Sequence, residues 1–109
     1  MGYAQMHFKT VREAAAELRA AVAPKKPVRI NRSQVLSDCA GSCMYRAKTN
    51  KREAHFEINL CKSLPENAAV LILLHEWAHA LAWNKDGSDH GPEWGIAYAR
   101  CWRAYIDKF

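Results

Sequence analysis

Residues 68–83, AAVLILLHEWAHALAW, constrain the fold more than any other stretch. They are apolar nearly all round a helix, the pattern of a helix buried through the middle of a domain rather than laid on its surface. The run is too short, and too interrupted by His75, Glu76 and His79, to span a bilayer. Burying three ionisable groups costs several kcal/mol, of order ~2–7 for each polar group left without a partner, unless they coordinate an ion or hydrogen-bond. The fold must therefore place this helix centrally and give those three side chains something to do.

Their spacing suggests what. Residues i and i+4 of a helix lie on one face about 6 Å apart along the axis, so His75 and His79 can present two nitrogens to one ion. Zinc accepts such a pair at roughly 2.0–2.1 Å in tetrahedral geometry. Glu76 projects about 100° further round and stands beside the ion, where a general base belongs. A zinc ion lowers the pKa of a water it holds towards ~7, and a neighbouring carboxylate can take that proton and pass it to a leaving amine. The sequence is thus H-E-x-x-H, with one catalytic Zn2+ as the expected cofactor. A surface helix can carry such a motif by chance, but here it lies on the most apolar helix of the chain.

Two ligands do not close a site. A metzincin would have Gly at position 82 and His at position 85, and Ala82 and Lys85 exclude that pattern. His90 is the preferred third ligand, because the polar loop NKDGSDHG lets the chain turn back over the ion, Gly91 permits close approach and Pro92 starts the next helix. Glu93, Asp89 and Asp86 compete, Glu93 foremost, since a carboxylate would complete a His2Glu set. Glu93 in a first helical turn already has a role at the positive end of the dipole. His7 and His55 read as surface residues, with His55 on a strand face within reach of a substrate.

Around the central helix the pattern is α+β, in a single domain spanning residues 1–109. TVREAAAELRAAVA is a helix with a stripe of Phe8, Val11, Ala15, Leu18 and Val22, opened by a Thr10/Glu13 capping box and ended by Pro24. The period then changes to two at Val28 and Ile30, again at Cys43, Tyr45 and Ala47, and again at Phe56, Ile58 and Leu60. Three strands, mostly antiparallel, follow, with TNKR at 49–52 as a turn. Ser63 and Glu66 read as a second capping box with Pro65 in the first turn, Asn84 and Gly87 as the end of the central helix, and Trp94, Tyr98, Cys101, Trp102 and Tyr105 as the stripe of a C-terminal helix.

The chain carries 16 Lys and Arg against 11 Asp and Glu, a net charge of +5, concentrated in KKPVRINR at 25–32 and RAKTNKR at 46–52. These stretches are a candidate DNA contact; they read equally well as solvated loop edges, since no aromatic-rich basic motif accompanies them. The N-terminal stretch lacks the apolar core of a secretory signal, so a cytoplasmic location and reduced thiols at Cys39, Cys43, Cys61 and Cys101 are expected.

H-E-W-A-H followed eleven positions on by H-G-P-E-W resembles the SprT/Spartan family of zinc metalloproteases. The resemblance covers roughly Val28 to Trp102. It implies a minimal zincin-like domain in which His75, His79 and His90 hold zinc, Glu76 is the catalytic base and Trp94 steadies the His90 loop. It also implies peptide-bond hydrolysis in a protein or peptide substrate, directed at proteins associated with DNA. The expected substrate pose is an extended peptide added beside the strand at 54–60; Tyr98, Tyr105 and Arg100 are candidates for an oxyanion donor, and helix packing explains the two tyrosines just as well. Two other readings stand beside it: a non-catalytic, zinc-stabilised nucleic-acid-binding module, and hydrolysis of another amide such as a cell-wall peptide link.

Overall fold

The computed structural model describes residues 9–32, 40–83 and 90–107. Helix α1 (Val11–Ala21) is a product of its local sequence. The Glu13 N–H donates to Thr10 Oγ1 at 3.1 Å and the Thr10 N–H to the Glu13 carboxylate at 2.8 Å, so the expected capping box forms. Val11, Ala14, Ala15 and Leu18 make its buried stripe. Phe8, expected at the head of that stripe, lies outside the described residues.

Strands β1 (Val28–Asn31), β2 (Gly41–Arg46) and β3 (His55–Leu60) form one sheet in the order β1-β3-β2. The turn between β2 and β3 is held by Thr49, whose N–H donates to the Arg52 carbonyl at 2.8 Å and whose hydroxyl accepts from the Lys51 and Arg52 amides at 3.2 Å. That tight turn makes β2 and β3 antiparallel. Strand β3 lies between β2 and β1, and the shorter β1–β3 ladder is parallel, so the sheet is mixed, with the expected antiparallel pairing over its longer β2–β3 ladder. One consequence corrects the expected substrate pose: β3 is paired on both sides and offers no free edge at 54–60. Apolar Phe56, Ile58 and Leu60 suit that central place, facing the core with Val28.

Gly41 sets how closely β2 approaches the central helix. A Cβ there would sit 2.6 Å from Ile72 Cγ2 and 3.0 Å from the Asn59 carbonyl oxygen. Gly41→Ala should therefore cost about 1–3 kcal/mol as the strand is pushed off the helix, read as a lower denaturant midpoint at an unchanged m-value.

Helix α2 (Glu66–Leu81) is the buried helix foreseen, with Val70, Leu73, Leu74 and Trp77 fully buried and α1, α3, β2 and β3 packed around it. The Trp77 indole N–H donates to the Val22 carbonyl at 2.8 Å, tying the middle of α2 to the end of α1. The Ser63/Glu66 capping box does not form. Pro65 is the N-cap with no side-chain capping bond, and the Ser63 hydroxyl pairs instead with Cys61 Sγ at 3.1 Å. Tertiary partners outcompete the local one for Glu66, whose carboxylate accepts the Val11 N–H at 2.7 Å and Arg32 Nη1 at 2.7 Å, and so sits at the N-termini of α1 and α2 together. Those two donors, the Val11 amide first, hold its carboxyl below the usual carboxylate range. A carboxyl that binds its proton less readily folded than unfolded stabilises the fold above its unfolded pKa, and that contribution is lost as pH falls through the folded value. Glu66→Gln should accordingly flatten the acid limb of stability against pH and leave its neutral-to-alkaline shape unchanged, as read by thermal melts from pH 3 to 8.

Helix α3 (Pro92–Asp107) opens on Pro92, as the sequence predicts, and buries Ala97, Cys101, Ala104 and Tyr105. Lys9 joins it to α1, its buried ammonium donating to the Tyr105 carbonyl and to Glu17. The predicted end of α2 at Asn84 and Gly87 lies outside the described residues. No described helix is long and apolar enough to cross a membrane.

Candidate metal centre

His75 and His79 project from one face of α2, as their spacing requires, and His90 arrives just ahead of α3 to meet them. The Nε2 atoms of His75 and His79 are 3.3 Å apart, those of His75 and His90 3.2 Å. All three donors lie within 4.8 Å of one another. Two nitrogens bound at about 2.0–2.1 Å and tetrahedral angles would be separated by about 3.3 Å, so the spacing fits a single zinc ion. Hydrogen bonding alone does not account for it, because a neutral imidazole has one N–H to share and His75 Nε2 faces two other ring nitrogens. Burial pushes the His75 pKa down, and the charge on His90 adds to that, which favours the neutral ring that ligates metals.

Glu93, the rival ligand, is exposed in the first turn of α3 and stands outside this cluster; Asp86 and Asp89 lie outside the described residues. Among the described residues no fourth donor joins the three imidazoles; three protein ligands are the set of catalytic rather than structural zinc sites.

Trp94 backs the cluster. Its ring centroid lies 4.6 Å from that of His90, 5.0 Å from His75 and 5.6 Å from His79, and its indole N–H donates to the His75 carbonyl at 3.4 Å. Tyr98 stacks behind it at 4.7 Å. Trp94 thus braces all three rings, a wider part than steadying the His90 loop alone.

In front of the histidines is a cavity of about 550 Å³. His75, His79, His90 and Glu76 line it from one side, Ala40, Gly41 and Cys43 from the β2 side, and Ile72 and Trp83 at its two ends along α2. Glu76 is buried, at 8 % exposure, yet it faces this space and is not one of the three clustered donors. Tyr98 and Tyr105 do not line the cavity: the first is stacked behind Trp94 and the second is buried in the core. Arg100 is exposed on α3 and does not line it either, so the three expected oxyanion donors are all misplaced for that task. His55 is not a surface residue but 7 % exposed, its Nδ1 3.0 Å from the Glu53 carbonyl, and it lies away from the cavity. His7 falls outside the described residues.

The sequence reading missed Ile72, Trp83, Gly41 and Cys43 as parts of the site. The first two were within its reach, since positions 72, 76, 79 and 83 recur at helical spacing on the face that carries Glu76 and His79. The β2 residues were not, because only the packing of strand on helix brings them there.

A scan against protein families matches residues 4–107 to the SprT-like family. The chain belongs to that family. The SprT-like match covers nearly the whole sequence and makes it a metallopeptidase-type, zincin-like domain. Neither curated proteins nor solved structures gave a match.

In this SprT-like domain Cys43 and Cys101 are free thiols among the described residues, while Cys39 lies outside them. Burial, and after it the charge of Glu76, pushes the Cys43 thiol up to about 12, so at neutral pH it faces the cavity as a neutral thiol and not as a thiolate ligand. Burial likewise raises Cys101 to about 12. Strand β2 is an edge among the described residues, and its register shows which groups it leaves outward. The Cys61 amide donates to the Ala40 carbonyl at 2.9 Å, and antiparallel ladders alternate, so Ala40, Ser42, Met44 and Arg46 bond to β3 while the N–H and C=O of Gly41, Cys43 and Tyr45 point away from it. Two of these three residues line the cavity.

Proposed function

We propose that this SprT-like domain is a zinc-dependent metalloendopeptidase. The observation that carries the reading is the convergence of three histidine Nε2 atoms, within 4.8 Å of one another, on a cavity that also holds a buried glutamate. His75, His79 and His90 would hold the ion; bound there, zinc supplies a Lewis acid that acidifies water and polarises a carbonyl.

The protein's own groups do the rest. The outward N–H and C=O groups of Gly41, Cys43 and Tyr45 bind an extended peptide main chain as an added strand, which replaces the pose expected at 54–60. That addition sets the scissile bond against the histidines, and the outward Gly41 and Cys43 amides are the nearest candidate donors for the carbonyl oxygen as it gains charge. Glu76 takes a proton from the attacking water at a carboxylate oxygen and delivers it to the departing amine. Trp94 holds the three rings at their spacing, and the Ile72, Cys43 and Trp83 walls limit access of bulk water.

Proteins associated with DNA are the substrate class this reading favours. Because β1 is parallel to β3, Lys25 and Lys26, just ahead of β1, come to the same end of the sheet as the β2–β3 turn with Lys48, Lys51 and Arg52. These five cations would suit a phosphate backbone, whereas Arg32 and Arg46 are paired with Glu66 and Glu57. A non-catalytic zinc module is the weaker reading, because a structural site has four protein ligands and no use for a buried carboxylate beside it. The test is hydrolysis of an unfolded protein by the zinc-loaded chain, with and without duplex DNA. Turnover abolished by chelation and restored by zinc supports the peptidase. DNA retention without turnover under any condition supports the binding module.

A further inference from the structure

The space in front of the metal centre is a groove with unlike ends. Gly41 lies against Ile72, near the start of α2, while at the far end the Phe56 ring meets Trp83 at 5.5 Å and Tyr45 at 5.6 Å. Strand β2 and helix α2 therefore run in the same direction along the two sides of the groove, with His75, Glu76 and His79 between its ends. From Ile72 to the end of α2 at Leu81 the helix rises about 14 Å, at 1.5 Å per residue, with Trp83 in the turn just beyond, and β2 from Gly41 to Tyr45 spans about 13 Å, so roughly four extended residues fit.

The Tyr45 end is an apolar wall. Trp83 is half-buried and lines the cavity, Phe56 is buried behind it, and Tyr45, two residues on from Cys43 and on the same face of the strand, is 42 % exposed. An incoming aromatic side chain would meet these rings at the edge-to-face distances they already keep among themselves.

We infer that Tyr45 and Trp83 form a subsite for a large apolar or aromatic substrate side chain on the N-terminal side of the cleaved bond. The polarity follows from strand direction. A peptide that adds antiparallel to β2 has its N-terminal part at the Arg46 end, so one of the three residues preceding the scissile bond lies against Tyr45 and Trp83. The inference rests on the peptidase reading and deepens it, naming a specificity that the zinc-binding motif leaves open.

Two measurements separate the failure of one from the failure of the other. In the first, zinc-loaded Glu76→Gln protein is titrated by fluorescence anisotropy with labelled ten-residue Ser/Gly peptides carrying a single Phe or a single Asp. The Phe peptide should bind about tenfold or more tighter, the gain expected for burying one aromatic side chain. Tyr45→Ala and Trp83→Ala in that background should each cut the preference to about twofold or less; Tyr45, being exposed, keeps the test open if the Trp83 variant fails to fold. In the second, native protein digests an unfolded protein and the cut sites are mapped by mass spectrometry, with Phe, Tyr, Trp, Leu or Met enriched in the three positions before the cut. Equal binding of the two peptides, or cut sites with no such enrichment or with enrichment only after the bond, overturns the subsite. A Phe preference lost in both variants but no hydrolysis by native protein supports the groove and overturns the peptidase reading.

Discussion

Glu76→Gln should keep its zinc and lose peptide hydrolysis by about 10²–10⁴-fold in kcat, the usual weight of a positioned general acid–base group. The substitution is nearly isosteric, so the buried side chain keeps its place in the cavity lining while losing the carboxylate that takes up a proton. The donor cluster of His75, His79 and His90 does not include it, and for that reason metal content should stay at one ion per chain, as measured by elemental analysis after dialysis. A variant that loses metal and turnover together would instead make Glu76 a ligand. Unchanged turnover would remove it from the chemistry altogether.

Zinc should raise the melting temperature of the native chain by roughly 15–30 °C. At a free concentration about a thousand times Kd, a ligand that binds only the folded state stabilises it by about 4.1 kcal/mol. In a domain of this size each kcal/mol moves the midpoint by about 4–8 °C. The three donors come from two separate segments, His75 and His79 on α2 and His90 just ahead of α3, so the ion would cross-link parts of the chain that separate on unfolding. His90→Ala should remove most of the shift, since a two-histidine site binds far more weakly, whereas Glu93→Ala, outside the cluster, should keep it. Differential scanning fluorimetry with and without zinc decides between them; the reverse pattern would put the carboxylate in the ligand set and His90 outside it.

The parts of the fold that were legible beforehand are those whose cause is local. Thr10 and Glu13 are three residues apart, and the capping box between them appears as read. The strands, the Thr49 turn and the proline start of α3 are legible for the same reason. Ser63 and Glu66 carry the same signature as Thr10 and Glu13 and fail, because Val11 and Arg32, distant in sequence, offer Glu66 better donors than the local amide. His55 misleads in a similar way: alternation puts it on the polar side of β3, yet it is buried. Strand order is the largest gap, since a period of two reveals that a segment is a strand and not which neighbours it takes.

By itself the sequence determined the central helix, the pairing of His75 with His79 and the carboxylate beside them, because these follow from helical geometry within five residues and from the cost of burying charge without a partner. Only the tertiary structure decided that His90 and not Glu93 joins the cluster, that β2 and not β3 presents an outward edge, and that Tyr45 and Trp83 both pack against Phe56 at one end of the groove. Each of these depends on contacts between segments distant along the chain, and their free energy is settled by packing of the whole domain rather than by any local preference.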